Sequence, residues 1–178
     1  AGGYLQENME TIRDKIRRRR YKPQPVRRVE IAKPDGGVRK LGIPTVVTQQ
    51  YTKGLGPTVP AVAEALGAFE PIDKTSFSCM DEPVFAEALE NSTKGTVILA
   101  GIEAHICVVQ TALDLIREGY RVALVTDCID SRDPLNKERT ILRLAQEGVV
   151  ITTYESVLYE LLGSAKAPEF KAISAIVK

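Results

Sequence analysis

The sequence has 178 residues, of which 44% are apolar and 26% are charged, and its formal net charge is +1. These values are ordinary for a globular domain, and no apolar run approaches the roughly 20 residues that a membrane-spanning helix needs. Three cysteines without a CxxC pair, and an opening without a signal-peptide pattern, favour reduced thiols in the cytoplasm. A single histidine argues against a His-rich metal site. We therefore expect a cytoplasmic protein with no membrane segment, no metal and no other cofactor.

The small net charge hides an uneven distribution. Residues 1–44 contain 12 basic and 5 acidic residues, whereas residues 45–178 contain 12 basic and 18 acidic residues. A net charge of +7 followed by one of −6 suggests two parts with different origins or tasks. We predict a basic N-terminal segment at 1–44 and a separate domain at 45–178.

The N-terminal segment is predicted to be a helix followed by a β-hairpin. Apolar residues spaced four, three and four apart form one stripe of an amphipathic helix, and the opposite face is basic and ends in RRRR at 17–20. The residues of this stripe are Leu5, Met9, Ile12 and Ile16. Residues 25–32 alternate like a strand, and the turn sequence PDGG at 34–37 can return the chain as a second strand.

From residue 44 onward, predicted strands alternate with helices. The strands are expected at 44–50, 69–77, 95–101, 120–128 and 149–153, and the helices at 82–92, 104–119, 134–148 and 154–163. A loop rich in Gly and Pro separates the first two strands. This alternation indicates βαβ units with right-handed crossovers. The predicted fold class is α/β, a three-layer domain with a mostly parallel sheet flanked by helices.

Cys107 lies where parallel sheets commonly place a functional site. The strand 95–101 ends just before the sequence EAHIC, so Cys107 falls in the first turn of the next helix, beyond the carboxyl end of the strand. Free N–H groups and the positive helix end favour a thiolate there and predict a lowered thiol pKa. Position alone leaves two interpretations open, a nucleophile facing a cleft or a small buried residue facing the sheet.

The other candidate residues carry weaker signals. Cys128 lies near three aspartates, which would raise its thiol pKa and favour a structural role, and Cys79 follows a strand without an obvious activator except Lys74. Lys74 itself could lower a neighbouring thiol pKa and bind a carbonyl or carboxylate. His105 is two residues from Cys107, a spacing that points their side chains to different helix faces and disfavours a Cys–His dyad.

Four stretches carry a resemblance to a known family. They are LGIPTVVTQQYTKGLGPTV, DKTSFSC, VILAGIEAHICVVQTALDLIREGYRVALVTDCIDSR and ITTYESVLYELLG, in this order. Through them, residues from about 41 to 178 resemble the isochorismatase-like cysteine hydrolase superfamily. The single histidine argues against the metal-binding nicotinamidases of that superfamily.

The resemblance implies a doubly wound sheet and an Asp–Lys–Cys triad. Matched motif by motif, Cys107 would be the nucleophile and Lys74 the triad lysine. A cis peptide is implied between Ile102 and Glu103, together with an oxyanion hole that includes the Cys107 N–H. A small-molecule substrate and a homo-oligomer are implied as well.

The triad aspartate has no clear counterpart before residue 41. Residues 4–45 instead resemble the N-terminal fingers of group II intron reverse transcriptases (maturases), most specifically in RRVEIAKPDGG and LGIPTV. The metal-binding aspartates of polymerases are absent from the sequence, so polymerisation is not expected. The basic helix could bind RNA phosphates, or it could be a solvated helix covering an exposed sheet.

Glu30 is the candidate replacement for the aspartate, because it follows a strand-like stretch. Only about ten residues separate Glu30 from Leu41, however, and a parallel crossover needs a dozen or more. Asp35, at the hairpin tip, is a weaker candidate. We therefore expect a hydrolase of small amides or related substrates that is weak or inactive for want of its base. The alternative is a non-catalytic scaffold or an RNA-binding protein.

Overall fold

The computed structural model describes residues 43–177 and the backbone of residues 31–32 and 38–39. The predicted N-terminal helix, the RRRR run, Glu30 and Asp35 lie outside the described residues. Every helix in the described part of the chain is too short or too polar to serve as a transmembrane span.

The described residues form strands that alternate with helices after residue 43, as the sequence predicts. The strands are β1 (Ile31–Ala32), β2 (Val38–Arg39), β3 (Thr48–Gln50), β4 (Ile72–Lys74), β5 (Thr96–Ile102), β6 (Arg121–Asp130) and β7 (Val150–Thr152). The helices are α1 (Thr52–Leu55), α2 (Pro60–Leu66), α3 (Pro83–Ser92), α4 (Val109–Arg117), α5 (Pro134–Gln146), α6 (Tyr154–Leu162) and α7 (Phe170–Ile176). A 3-10 turn at Cys79–Asp81 precedes α3, and a π-helical turn at Ala104–Val108 precedes α4.

The pairing of the strands confirms the α/β class but divides the predicted sheet. β3 pairs in parallel with β4, and β5, β6 and β7 form a second parallel sheet in that order. Among the described strands, β1 and β2 pair only with each other, in antiparallel register, as the turn sequence between them predicts. Within the described residues, the parallel strands therefore form two sheets instead of the single sheet expected.

The core lies between the β5–β6–β7 sheet and the helices beside it. β6 has four buried residues, and Leu124 at its centre is fully buried. On α4 the buried side chains recur every third residue, at Val109, Ala112 and Leu115, which places them on one helix face. Leu144 of α5 joins the same apolar cluster. This core holds β5 and α4 in position, and with them the turn that carries Cys107.

Two local features differ from the sequence prediction. Residues 52–66, expected to be a loop, contain α1 and α2, and Pro60 is the first residue of α2. Proline is favoured at this position because its fixed φ suits a helix and its missing N–H would have no intrahelical partner. The helix expected from residue 104 begins as a π-helical turn before it becomes regular at Val109.

Candidate functional site

The register between β3 and β4 brings Lys74 beside Gln50. The two residues are direct partners in the parallel ladder, so their side chains project from the same face at the carboxyl ends of the strands. The Lys74 ammonium donates to Gln50 Oε1 at 2.5 Å and to the backbone carbonyls of Ser76 and Phe77, both at 2.9 Å. Lys74 is only 4% exposed, so the loop after β4 encloses its charge.

Within the described part of the chain, the hydrogen-bond partners of Lys74 are all neutral. Its three N–H groups have three acceptors, and no carboxylate among residues 43–177 lies within ion-pair distance of it. A buried cation normally has an anionic partner. Removing the cation from water costs roughly several kcal/mol, even after the protein relaxes around it. A buried charge without a carboxylate partner among residues 43–177 favours an anion at this site, such as a thiolate or a substrate oxygen.

Cys107 completes a row of three side chains. It lies in the π-helical turn after β5, and its Sγ is 3.8 Å from Gln50 Oε1. Gln50 thus stands between the ammonium of Lys74 and the thiol of Cys107. The structure brings together the two residues that the sequence proposed as lysine and nucleophile, and it adds an amide that the sequence analysis did not single out.

The backbone around Cys107 is partly as expected. The peptide bond between Ile102 and Glu103 is cis, as the family resemblance implies. The Cys107 N–H donates to the Glu103 carbonyl oxygen at 3.1 Å, and that carbonyl also accepts from the N–H groups of Ile106 and Val108. An oxyanion would have to compete for the Cys107 N–H, so the oxyanion hole stays a prediction.

The pKa of the Cys107 thiol is raised, whereas the sequence analysis expected it to be lowered. Burial disfavours the thiolate and is the largest influence on this pKa. The charge of Lys74 lowers the pKa, as does hydrogen bonding by the Glu103 backbone, but the two together do not offset the burial. The expectation was wrong because burial removes water from the thiolate. This raises the thiol pKa by more than Lys74 and the hydrogen bond at the start of the helix lower it.

The remaining thiols occupy different surroundings. Cys79 lies in the 3-10 turn after β4, with its Sγ 3.5 Å from Thr48 Oγ1. Cys128 lies near the carboxyl end of β6, where burial and the neighbouring Asp127 raise its pKa. That direction is the one expected from the acidic residues around Cys128.

His105 and Glu103 contact each other instead of the thiol. His105 Nδ1 is 3.0 Å from Ser131 Oγ and 3.5 Å from Glu103 Oε2. Glu103 Oε2 also accepts from the Arg132 N–H at 3.0 Å. The carboxylate of Glu103 is therefore engaged away from Cys107, and neither residue is placed to deprotonate the thiol. No described group of three or more His, Cys, Asp or Glu side chains could hold a metal ion.

Gln50 is the site residue that the sequence analysis missed. A usable signal was present, because Gln50 ends the predicted strand 44–50 and Lys74 lies toward the carboxyl end of the next predicted strand, 69–77. Carboxyl ends of parallel strands meet at one edge of a sheet, so polar residues at both ends are expected to be neighbours. The strand boundary, uncertain by several residues in a single sequence, hid this relation.

A family model and a curated relative indicate the same domain. The model of the isochorismatase domain matches residues 26–156. The isochorismatase domain-containing protein 1 of Danio rerio is 43% identical over 142 residues, which are 80% of this chain and 50% of that protein. This chain thus spans about half the length of that relative.

Solved structures show the same likeness. The MAR1 ribonuclease of Caenorhabditis elegans is 41% identical with a TM-score of 0.70, over 76% of this chain and 69% of that one. The YcaC gene product of Escherichia coli, described as an octameric hydrolase of unknown specificity, is 25% identical with a TM-score of 0.70, over 75% and 66% of the two chains.

The same comparisons bear on the N-terminal segment. The isochorismatase match begins at residue 26 and so extends into the part that was predicted to resemble maturases. The resemblance of residues 4–45 to maturases is not supported by these comparisons. The division between residues 44 and 45 stays a prediction.

Proposed function

Because the chain belongs to the isochorismatase family, we propose that it hydrolyses a small amide or a related carbonyl substrate through a covalent bond to Cys107. The observation that supports this most is the row of Lys74, Gln50 and Cys107 at the carboxyl ends of β3, β4 and β5. A nucleophile, a buried cation and a neutral hydrogen-bonding side chain are thereby within reach of one small molecule.

In the proposed reaction, the Cys107 thiolate attacks the carbonyl carbon of the substrate. The electron pair of the C=O bond moves to the oxygen, whose charge Lys74 stabilises by turning one N–H from a backbone carbonyl toward it. Collapse of this intermediate expels the amine, which takes up a proton, and leaves a thioester on Cys107. Water then attacks the thioester, releases the carboxylic acid and restores the thiol.

Proton transfer is the weak step of this scheme. The Gln50 amide can accept a hydrogen bond from the thiol, but it cannot take up the proton at neutral pH. No carboxylate among residues 43–177 is hydrogen-bonded to Cys107 or Lys74. With no base among the described residues, we propose that the thiol loses its proton to water, without the general acid–base catalysis that is worth typically about 10²–10⁴-fold. We therefore propose slow turnover.

Two aromatic residues lie next to the row of Lys74, Gln50 and Cys107. They suggest what kind of group the substrate carries beside its reacting carbonyl. Tyr51 directly follows Gln50, and Phe77 supplies one of the carbonyls that hold Lys74. Both side chains are about half exposed. They would contact a flat or apolar group attached to the reacting carbonyl.

Ammonia release from a panel of small primary amides tests the proposal. We expect slow release above the rate without protein, loss of that release in Cys107→Ala, and its retention in Cys128→Ser, a matched change at a thiol outside the row. Release that persists in Cys107→Ala would show that Cys107 is not the nucleophile.

We also propose that the chain forms a homo-oligomer, because the YcaC structure that it resembles is described as octameric. The observation in this chain that supports it is the apolar strand β5, where Ile98 and Ile102 are 39% and 49% exposed. Association would cover these side chains.

A second candidate function is RNA binding by the basic residues 1–44. Their net charge of +7 supports it. A solved structure that the chain as a whole resembles is described as a ribonuclease. Binding of a single-stranded RNA should weaken steeply with salt, and replacing Arg17–Arg20 with glutamine should flatten that dependence. Binding that is unchanged by the replacement would exclude this segment as the RNA site.

A further inference from the structure

The loop between β4 and α3 supplies two of the three acceptors that hold the ammonium of Lys74. They are the carbonyl oxygens of Ser76 and Phe77, each 2.9 Å from Lys74 Nζ. A carbonyl can keep a buried cation in one place only if the loop that carries it is itself fixed. The position of Lys74 therefore depends on what fixes the backbone at Ser76 and Phe77.

The side chain of Ser76 connects this loop to the start of α3. Ser76 Oγ lies 2.7 Å from Glu82 Oε1 and 2.9 Å from the carbonyl oxygen of Ser78. Ser76 and Glu82 are both partly buried, so water competes less for their contact than at an exposed site. Glu82 forms no ion pair within the described part of the chain, where its carboxylate accepts from Ser76. The charged group of Glu82 therefore serves the loop.

The backbone of Glu82 is fixed to the core. Its carbonyl oxygen accepts from the N–H groups of Phe85 and Ala86 at 2.9 and 3.1 Å, in the first turn of α3. The side chain of Phe85 is buried in the apolar cluster. The Glu82 N–H donates to the carbonyl oxygen of Cys79 at 3.1 Å, which closes the 3-10 turn. Glu82 thus joins a fixed helix start to the loop that holds Lys74.

We propose that Glu82 is a positioning residue of the site, which fixes Ser76 and through the Ser76 carbonyl keeps the Lys74 ammonium beside Gln50. Each contact from the carboxylate to Gln50 is a hydrogen bond of 2.9 Å or less. No described hydrogen bond joins Glu82 to Cys107, so its influence on the thiol passes through Lys74. This role rests on the proposed function of the row, in which Lys74 acts on the thiol.

Loss of the Glu82 side chain should affect Cys107 in the direction opposite to a direct charge effect. Without Glu82 the loop carbonyls shift, and the thiolate of Cys107 loses the cation that favours it. Iodoacetamide labelling of Cys107 should then need a higher pH. Removing a negative charge that acted directly on the thiol would make labelling easier instead. Glu103 and Cys79, which also influence the thiol, are unchanged in such a variant.

The test measures Cys107 labelling as a function of pH by peptide mapping of the whole chain. In Glu82→Ala, labelling at a fixed pH should be at least about twofold slower, the lower end of the coupling within a hydrogen-bonded network. Glu82→Gln removes the charge but keeps a side chain that can hydrogen-bond to Ser76, so it should label like the unaltered protein. Glu87→Ala, which removes an exposed acid from the same helix, is the matched control and should also leave the labelling unchanged.

Two further variants test the route of the effect. Ser76→Ala should slow the labelling of Cys107 as Glu82→Ala does, because it removes the hydroxyl that the carboxylate holds. In a Lys74→Met background, adding Glu82→Ala should cause no further slowing, since the cation through which Glu82 acts is already absent. If Glu82→Ala does not fold, all three cysteines label at similar rates, and Ser76→Ala then takes its place in both comparisons.

Several results would overturn the role assigned to Glu82. They are faster labelling in Glu82→Ala, equal slowing in Glu82→Gln and Glu82→Ala, normal labelling in Ser76→Ala, and a full further slowing in the Lys74→Met background. The labelling needs no turnover, so a protein that releases no ammonia from amides can still show the predicted pattern. Failure of the proposed hydrolysis and failure of this role are thereby distinguished.

Discussion

At the scale of single residues, Gln50 limits the chemistry that we propose for the site. Its Oε1 accepts from Lys74 at 2.5 Å and lies 3.8 Å from the thiol of Cys107. A carboxylate at that oxygen would touch the same two groups and could take up the thiol proton. The neutral amide of Gln50 occupies the position that such a base would have, but it cannot take up the thiol proton.

Replacing Gln50 with glutamate should therefore increase turnover. A carboxylate paired with Lys74 can accept the Cys107 proton, and we expect a gain of about tenfold or more, toward the lower end of what general base catalysis contributes. Ammonia release from a small amide at mildly alkaline pH measures it.

Gln49→Glu is the matched control for this change. The Gln49 side chain accepts from Thr58 N and Oγ1, so a carboxylate at residue 49 is held by Thr58 and not by the thiol. Equal gains in the two variants, or no gain in Gln50→Glu, would contradict the position assigned to Gln50.

Removing the charge of Lys74 should make the Cys107 thiol less acidic. Burial already raises the pKa of Cys107, and Lys74 opposes that rise. In Lys74→Met the opposing charge is lost, so the pKa rises further and iodoacetamide labelling needs a higher pH. The measurement is the labelling rate of Cys107 as a function of pH, which should increase with the thiolate fraction.

Lys137→Met provides the control, because Lys137 lowers the pKa of Cys128. That variant should shift the labelling curve of Cys128 and leave the curve of Cys107 in place. A Cys107 curve that is the same with and without Lys74 would show that the ammonium does not act on the thiol.

The residues of the site could be predicted from the sequence only in part. Strand ends and family motifs proposed Cys107 and Lys74, whose side chains both contact Gln50, because those motifs are local in sequence. The direction of the Cys107 pKa shift could not be predicted, since it depends on how much of the thiol the fold removes from water. Gln50 was missed because its importance comes from the β3–β4 register, which a single sequence does not specify.

At the scale of elements, β6 is the strand that organises the core. It pairs in parallel with β5 on one side and β7 on the other, and Leu124 at its centre is fully buried. The strongly apolar sequence RVALV made this strand predictable, as fully covered parallel strands are rich in aliphatic residues. The short helices α1 and α2 were not predictable in the same way, because neither has a buried residue to reveal it.

Shortening Leu124 should destabilise the whole domain. We expect Leu124→Ala to lower the free energy of unfolding by about 2–5 kcal/mol, since it leaves a cavity in a closely packed core. Its register partner Ile151 on β7 is 38% exposed, and Ile151→Ala should cost on the order of 1 kcal/mol.

Urea unfolding followed by circular dichroism compares the two variants. Equal losses of stability for Leu124→Ala and Ile151→Ala would mean that the core is not centred on β6.

At the scale of the whole molecule, the division into two parallel sheets leaves strand edges without a partner among the described residues. β5 is bonded to β6 alone and β3 to β4 alone. Although β5 has the apolar sequence TVILAGI, none of its residues is fully buried. Uncovered apolar edge strands favour association with another chain.

A charge on this strand should reduce self-association. In Ile98→Lys, the ammonium would oppose edge pairing and apolar contact, so the molar mass at high protein concentration should fall toward that of one chain. Sedimentation equilibrium measures the mass. Leu142→Lys, at an exposed leucine of α5, is the control and should leave association unchanged.

If Leu142→Lys dissociates the protein and Ile98→Lys does not, the contact lies on the helical layer and not at β5. If the unaltered protein has the mass of one chain at every concentration, the proposed homo-oligomer is wrong.

Cys107 is proposed as the reactive thiol, positioned by Gln50 and Lys74. Limiting iodoacetamide applied to the folded, reduced protein, followed by peptide mapping of all three cysteines, tests it directly. We predict that Cys107 is alkylated before Cys79 and Cys128, with a rate that increases with pH and falls in Lys74→Met. Preferential alkylation of Cys79 or Cys128 in the folded protein would contradict the account.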